Sequence, residues 1–550
     1  MSDHANPSAD PQHWWRDEVI YQIYPRSFAD ASGDGVGDLK GIEHRLDYLT
    51  NLGVDALWLS PIFKSPMRDF GYDVADYRAI DPLFGTMADF DRLLTAAHDR
   101  GLKLLLDFVP NHTSSEHAWF QQSRSSRDNP KRDWYIWRDP APDGGPPNNW
   151  QSNFGGPAWT LDEASGQYYY HAFLKSQPDL NWRNPEVRAA MFDVLRFWLD
   201  KGVDGFRVDV IWHLIKDAEF RDNPPNPDWQ PGHSDIGRYE QVHSTNQPEV
   251  HDVIAEMRQV IDEYDARLLI GEIYLPPEEL VSYYGSERKP EVHLPFNFQL
   301  VQCDWNARTI AALVSRYESL LPEGGWPNWV LSNHDQPRIA ARVGKQNRQA
   351  KAKIAATLLL TLRGTPTIYY GDELGLADVT IPPNRIQDPW AKQEPDASFN
   401  RDRARTPMQW SGAANAGFSQ AEPWLPLSED WQTRNVTSLW HDDQSILPHH
   451  RALLQLRRRH PALRTGSYSQ VLVDDGVFVF ARELDGERLI VALNFRSEPR
   501  QIAADALPSQ LLSLLEPLLS THGPRETSQG GDLTLAPDEG VIFQVEGNPA

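Results

Sequence analysis

Short apolar runs alternate along this chain with longer stretches whose apolar positions return every three or four residues, the spacings of buried strand and amphipathic helix. The runs are VIYQIY from Val19, VDALWL from Val54, LKLLLDFV from Leu102, VDGFRVD from Val203, RLLIGE from Arg267, VHLPFNF from Val292, WVLSN from Trp329 and TPTIYY from Thr365. Helical patterns follow most of them, for example about 38–52, 185–201 and 349–363. Eight strand-then-helix units in this order predict an α/β fold, a parallel (β/α)8 barrel. A doubly wound open sheet is the alternative, and no glycine-rich dinucleotide loop supports it.

The spacing of these units is uneven. Residues 110–182 follow the third run, are rich in Pro, Gly, Asn and Trp, and are too long for a plain loop. They are expected to form an inserted small domain on the carboxyl side of the barrel, where active-site loops lie. Residues 221–249 and 378–431 are two more polar, Pro-bearing excursions that would wall the same mouth. The barrel then takes 1–109 and 183–465. After a helical stretch near 453–459 the pattern changes to alternation, with Asp485 and Gly486 as a hairpin turn, which predicts a separate antiparallel β domain over 466–550.

Composition narrows the function. Among 550 residues, 53 Lys and Arg against 77 Asp and Glu give a formal charge of −24, which argues against binding nucleic acid. The single cysteine, Cys303, has no partner for an intrachain disulfide and reads as a small buried hydrophobe. The start, MSDHANPSADPQHWW, lacks the basic and apolar segments of a signal peptide, and no stretch approaches the ~18 apolar residues of a membrane span. A soluble, cytoplasmic protein is expected. Twenty Trp and 18 Tyr offer platforms for sugar faces, although cores and interfaces also consume aromatics.

Side chains at the carboxyl ends of barrel strands share one basin, so polar residues there need a reason. Asp69 and Tyr72 follow the second run, Asp107, Asn111 and His112 the third, Arg207 and Asp209 the fourth, Glu272 the fifth, and His334 and Asp335 the seventh. Singly, each reads as a surface acid or a satisfied structural histidine. Together they form a constellation. The carboxylates lack Cys or His ligand spacing for zinc, and neither a nucleophile elbow nor a phosphate loop accompanies them. Acid chemistry on a neutral substrate is left. Glycoside cleavage with retention needs one carboxylate to attack and one acid to protonate, about 5–5.5 Å apart, and neighbouring fourth and fifth strands can supply the pair.

The blocks DFVPNH (107–112), GFRVDV (205–210), GEIY (271–274) and SNHDQPR (332–338) resemble the four signature regions of the α-amylase superfamily, glycoside hydrolase family thirteen. GDGVGDLKGI (33–42), QPDLNW (177–182), GTPTIYYGDE (364–373) and RTPMQW (405–410) are similar to further blocks of its oligo-1,6-glucosidase and α-glucosidase branch. The resemblance implies a retaining, exo-acting α-glucosidase in which Asp209 is the nucleophile, Glu272 the general acid and base, and Asp335 the third carboxylate holding the reacting glucose. Arg207, two residues before Asp209 and on the same strand face, is expected to keep that carboxylate ionised, while a drier setting keeps Glu272 protonated. His112 and His334 would donate to glucose hydroxyls, Asp69 and Arg405 would clamp the non-reducing end with Arg401 as a substitute for Arg405, and Tyr72 would stack on the ring.

Val210, after the nucleophile, is the residue that in this branch accompanies α-1,6 specificity, where Thr accompanies α-1,4. The expected partners are short α-glucosides such as maltose, isomaltose or sucrose, with transglucosylation at high acceptor concentration and a monomer or homodimer as the working unit. The stretch DASGDGVGD (30–38) alternates oxygen ligands with glycines, like the first half of a calcium loop, and its plain alternative is an acidic turn. The similar family segment binds one structural Ca²⁺ or Mg²⁺ through Asp30, the residue at Ser32, Asp34, the Val36 carbonyl and Asp38; Ser32 stands where Asn is usual. Two alternatives share the fold. A glucosyl isomerase of the sucrose isomerase or trehalose synthase type would use the same covalent intermediate, and a non-catalytic member like a transporter heavy chain would have lost the carboxylates that are intact here.

Overall fold

The computed structural model describes residues 10–545 except 232, 234, 345, 394–398, 504–514 and 526–531. Residues 1–9, part of the segment read above for a leader, lie outside the described residues, as do parts of the 221–249, 378–431 and 466–550 regions. Eight parallel strands close into a barrel: β1 (Ile20–Ile23), β2 (Ala56–Leu59), β3 (Lys103–Phe108), β4 (Gly205–Val208), β5 (Leu268–Ile273), β6 (Leu294–Asn297), β7 (Asn328–Val330) and β8 (Thr365–Tyr369). Each strand pairs with its neighbours in sequence, and β8 returns to β1.

The strands are buried on both faces, so they read as apolar runs with little alternation. Ile20, Ala56, Trp58, Leu105, Ile270 and Phe296 fill the interior, while their neighbours Tyr21, Leu57, Leu104 and Leu106 pack outward against the helices. Strand parity therefore aims Gln22, Asp107, Arg207 and Glu272 inward, two residues beyond Ile20, Leu105, Gly205 and Ile270. Gly205 opens β4 because φ is 153° there and a Cβ would lie 2.2 Å from the Leu268 carbonyl oxygen of β5.

The helix Met87–His98 begins with a Thr86–Asp89 capping box, and Pro185–Asp200 with an Asn184 cap and Pro at its first position. The 38–52 stretch is two helices, Leu39–His44 and Leu46–Leu52, not one. The chain leaves helical geometry at Arg45, whose guanidinium sits over the Trp410 ring at 4.1 Å. Leu39, Ile42, Leu46, Leu49 and Leu52 are all buried, so the apolar period runs through the break and hides it.

Between β3 and the helix Pro185–Asp200 lies a three-stranded antiparallel sheet, Trp137–Arg138, Gln167–Tyr170 and Trp159–Asp162, with its own aromatic core around Trp150, Trp159 and Tyr170. It is fastened to the 221–249 excursion by Trp150 Nε1 donating to the Arg221 carbonyl at 2.8 Å and by Asn149 and Asn223. The carboxyl-terminal strands Ser467–Val473, Val477–Leu484, Glu487–Asn494, Gly540–Val545 and Leu515–Ser520 form an antiparallel sheet. Asp485 and Gly486 turn the hairpin between Val477–Leu484 and Glu487–Asn494 with φ of 49° and 85°, both left-handed, as that two-residue turn requires. Fully buried Arg482 ties this sheet to the barrel by donating to the Thr361 and Leu463 carbonyls. Most of the tryptophans expected as sugar platforms are instead core: Trp14, Trp58, Trp150, Trp182, Trp198 and Trp329 are among the largest fully buried side chains. Among the described residues no helix is long and apolar enough to cross a membrane.

Candidate active site

Register brings the two expected reacting carboxyls level. Arg207 on β4 pairs with Asp107 on β3 and with Ile270 on β5. Two residues further on, Asp209 and Glu272 therefore stand level on adjacent strand ends, which lie ~4.8 Å apart. Arg207, wholly buried, reaches all three acids: Nη1 donates to Asp107 at 2.7 Å and to Asp209 at 2.8 Å, and Nη2 lies 2.7 Å from Glu272. The backbone N–H of Val210 also donates to Glu272, at 3.0 Å.

Arg207, expected to keep Asp209 ionised, is shared among three acids. One guanidinium faces three carboxyls, so it cannot ionise them all in a buried place. Burial lifts Asp209 well above the ordinary carboxylate range, with Arg207 opposing and Glu272 and Asp107 adding to the lift. Burial raises Glu272 too, against Arg207, and pushes Asp107 up to about 7. The Asp209 and Glu272 carboxyls are both raised, and the two titrate as a pair. Asp335 is different. Burial works against its charge, but His334, Arg405 and Arg401 overcome it and hold the carboxyl well below its usual range.

A polar wall surrounds Asp335. Gln22 Nε2 donates to His334 Nδ1 at 2.8 Å, which leaves Nε2 to carry the ring proton toward Tyr72 Oη at 2.6 Å and Asp335 Oδ2 at 3.0 Å. Tyr72 lies parallel to His334, with ring centres 5.5 Å apart, and donates to Asp107 at 3.0 Å. Burial pushes His334 and His112 down to about 4, so both imidazoles are neutral. His112 Nε2 contacts the Tyr72 carbonyl at 3.0 Å and the Gln177 amide at 3.2 Å.

Of the two arginines considered for the clamp, Arg401 is the one on Asp69, at 2.8 Å, and it lines the cavity. It also reaches Asp335 at 3.3 Å and is locked by fully buried Asp388 at 2.8 Å. Arg405 lies behind Asp335, at 2.8 Å, and holds the His334 carbonyl at 2.7 Å. Asp69, Asp335 and Arg401 line a cavity of about 270 Å³ together with Val210, Asp209 and Glu272. Sequence reasoning passed over Gln177, Phe173, Trp212, His213, Tyr274 and Trp390, which line it as well. Gln177 and Tyr274 stood in quoted blocks, but the others carry no signal beyond following a strand end or lying in a long excursion.

The 30–38 loop is hard-oxygen chemistry of the kind Ca²⁺ and Mg²⁺ prefer. Its carboxylates are nonetheless engaged by the loop itself. Asp30 accepts from the Gly33 and Gly35 amides and from the Ser32 and Ser419 hydroxyls, and Asp38 accepts from the Ala31, Ser32 and Gly41 amides. Asp34 accepts only from the Val36 amide, at 2.8 Å. A cation would have to take lone pairs that these donors, the two mobile hydroxyls above all, now use. Among the described residues no group of three or more His, Cys, Asp or Glu is placed to hold a metal.

Comparison with known proteins gives this geometry its relatives. The family model described as "Alpha amylase, catalytic domain" matches residues 22–466. The chain is 41% identical to an oligo-1,6-glucosidase of Halalkalibacterium halodurans over 96% of this chain and 98% of that protein. It is 43% identical to a probable alpha-glucosidase of Rhizobium meliloti over 94% and 95% of the two chains. Among solved structures, an alpha-glucosyl transfer enzyme, XgtA, superposes with a TM-score of 0.90 at 42% identity, covering 97% of this chain and all of that one. The trehalulose synthase MutB is also similar, with a TM-score of 0.89 at 37% identity and coverage of 97% and 100%. The chain belongs to the α-amylase family and is a glycoside hydrolase.

Proposed function

We propose that the protein removes terminal, non-reducing α-linked glucose from short oligosaccharides with retention of configuration. The observation that carries this is the level pair Asp209 and Glu272 lining one cavity with the Asp69–Arg401 ion pair. Glu272 protonates the glycosidic oxygen as Asp209 attacks the anomeric carbon, which breaks the C–O bond, frees the leaving sugar and forms a glucosyl ester. Glu272, now ionised, takes a proton from water as that water attacks the same carbon, releasing α-glucose and Asp209. Ionised Asp335 accepts from glucose hydroxyls, and neutral His112 and His334 donate. The raised carboxyls of the free site support this assignment, because acid catalysis needs one carboxyl to arrive protonated.

A sugar or alcohol that replaces water gives transfer, and the likeness to an alpha-glucosyl transfer enzyme supports that side activity. Similarity to a trehalulose synthase keeps isomerisation as a second reading, which sucrose distinguishes. Maltose, isomaltose, sucrose, trehalose and soluble starch should be compared, with the anomer of the first product followed by NMR. Free α-glucose from the disaccharides is expected. Initial β-glucose, a rearranged disaccharide as the main product from sucrose, or dextrins from starch faster than glucose from maltose would each overturn the assignment.

One structural Ca²⁺ or Mg²⁺ is proposed in the 30–38 loop, where Asp30, Ser32, Asp34, the Val36 carbonyl and Asp38 would hold it by exchanging the loop's own hydrogen bonds for the ion. Excess EDTA should then lower the melting temperature more than it lowers activity at moderate temperature; an unchanged melting curve with no metal by elemental analysis rejects the ion. The lone, half-buried Cys303 suits a reducing compartment and supports a cytoplasmic address.

A further inference from the structure

The chain leaves β4 by a strained turn. Val210 has φ 37° and ψ 47°, left-handed geometry that β-branched residues avoid, and it leads into the single turn Ile211–His213. The bend brings Val210, Trp212 and His213 to the cavity lining just past Asp209. His213 is 3% exposed, yet its Nδ1 is buried without a hydrogen-bond partner. Its neighbours are rings: Trp212 at 4.8 Å and Phe173 at 5.5 Å. Burial holds the imidazole well below its ordinary range, with Lys216 and His112 adding to this, so the ring is neutral and offers one N–H and one lone pair. An orphaned buried nitrogen is costly unless something arrives to satisfy it, and here it borders the substrate cavity.

The direction of the bend says which half of the substrate it meets. Glu272 must stand beside the leaving oxygen. Trp212 lies 5.9 Å from Tyr274, two residues beyond Glu272, so the Val210–His213 turn reaches the acid's side of the cavity, with His213 itself packed between Trp212 and Phe173. We propose that His213 binds a hydroxyl of the leaving sugar and so sets the preference for a saccharide over a smaller leaving group. This rests on the α-glucosidase reading and deepens it.

The test compares kcat/KM for isomaltose and maltose with that for α-glucosyl fluoride, whose leaving group has no hydroxyl, in the wild type and in His213→Phe, His213→Met and His213→Gln. The disaccharide-to-fluoride ratio should fall about tenfold or more in both apolar variants and recover in part with Gln, which keeps a donor and an acceptor. Turnover of the fluoride in the same samples reports that the fold is intact; Met serves if Phe does not fold. Equal losses on both substrates, or an unchanged ratio, would overturn the role. A wild type inactive on every α-glucoside would instead remove the α-glucosidase reading.

Discussion

The two ends of the barrel both bury charge, and they do it differently. At the amino end, Asp55 and Asp204 precede β2 and β4, and each holds a backbone amide at a strand start: Val19 N–H to Asp55 at 2.9 Å and Leu104 N–H to Asp204 at 2.8 Å. Each also has basic side chains of its own. Arg458 lies 2.5 Å from Asp55, and His98, Lys103 and Arg267 lie 2.7, 3.6 and 3.7 Å from Asp204. At the carboxyl end, Asp107, Asp209 and Glu272 divide one arginine among them beside a cavity. Cations in ample supply make the first cluster a brace. Their shortage makes the second hold a proton, which is what chemistry requires.

The largest test of this contrast is neutralisation of the reacting pair. Asp209→Asn and Glu272→Gln should each lower kcat on maltose by about 10⁴-fold while leaving the melting temperature unchanged or higher, because a neutral amide relieves crowded acids. A melting point that falls in step with activity would erase the distinction between the ends.

Glu18 is the exception at the amino end and sharpens the comparison. Its Oε2 has no partner, and burial, with Asp55 adding and Lys103 opposing, raises its carboxyl to about 9. The folded chain therefore keeps a proton that the unfolded chain releases near pH 4.5, so this group's contribution is complete below that pH and is lost as pH rises toward 9. Glu18→Gln imitates the protonated form and should stabilise the protein by about 2–4 kcal/mol at pH 7.5, with the gap closing toward pH 5. Denaturant melts at the two pH values decide; a destabilised variant at pH 7.5 would mean that Glu18 is an ionised part of the brace.

What the sequence disclosed follows from which interactions are local. Barrel strands buried on both faces must be apolar runs, so all eight could be read, and the acids after them could be placed in one basin. The pairing register could not, and only register shows Arg207 divided between Asp209 and Glu272. Arg401 and Arg405 sit in one segment with the same chemistry, and the single turn Arg401–Ala404 decides which meets Asp69. Asp388, which locks Arg401, lies in a long polar excursion, and His213 follows a strand end with no spacing that marks it. Glu18, Asp55 and Asp204 precede strands, where an acid commonly faces solvent, and nothing local marks Asp204 as buried or the other two as half-buried.

Asp204→Asn asks whether the brace is separable from the chemistry. Burial opposes its charge, but His98, the Leu104 amide and Lys103 outweigh it and hold the carboxyl below its ordinary range. Its stabilising charge is thus present above the unfolded value and lost as pH falls through the folded one. Because its cations are partly exposed, the loss at pH 7 should be about 1–3 kcal/mol. Activity per folded molecule should stay at the wild-type level, and a drop in kcat at a temperature far below melting would show that the two ends are coupled.

The smallest expected effect lies at the carboxyl end, in Val210→Thr. Both residues are β-branched, so the left-handed φ of 37° costs about the same and the turn to His213 should survive. The Val210 N–H that holds Glu272 is backbone and also stays. What changes is one methyl for one hydroxyl at the cavity lining, toward the leaving sugar. An α-1,6 linkage brings an extra exocyclic carbon through this space and gains from an apolar neighbour, whereas an α-1,4 linkage presents ring hydroxyls that a Thr can meet. A single contact added to a site not built around it discriminates weakly, so the kcat/KM ratio of isomaltose to maltose should fall about three- to tenfold with little change on α-glucosyl fluoride. A shift of the same size on the fluoride would place the effect on Glu272 and not on the leaving sugar. No shift at all would assign linkage preference to the far wall, where Trp390 packs on Phe154 with ring centres 5.3 Å apart.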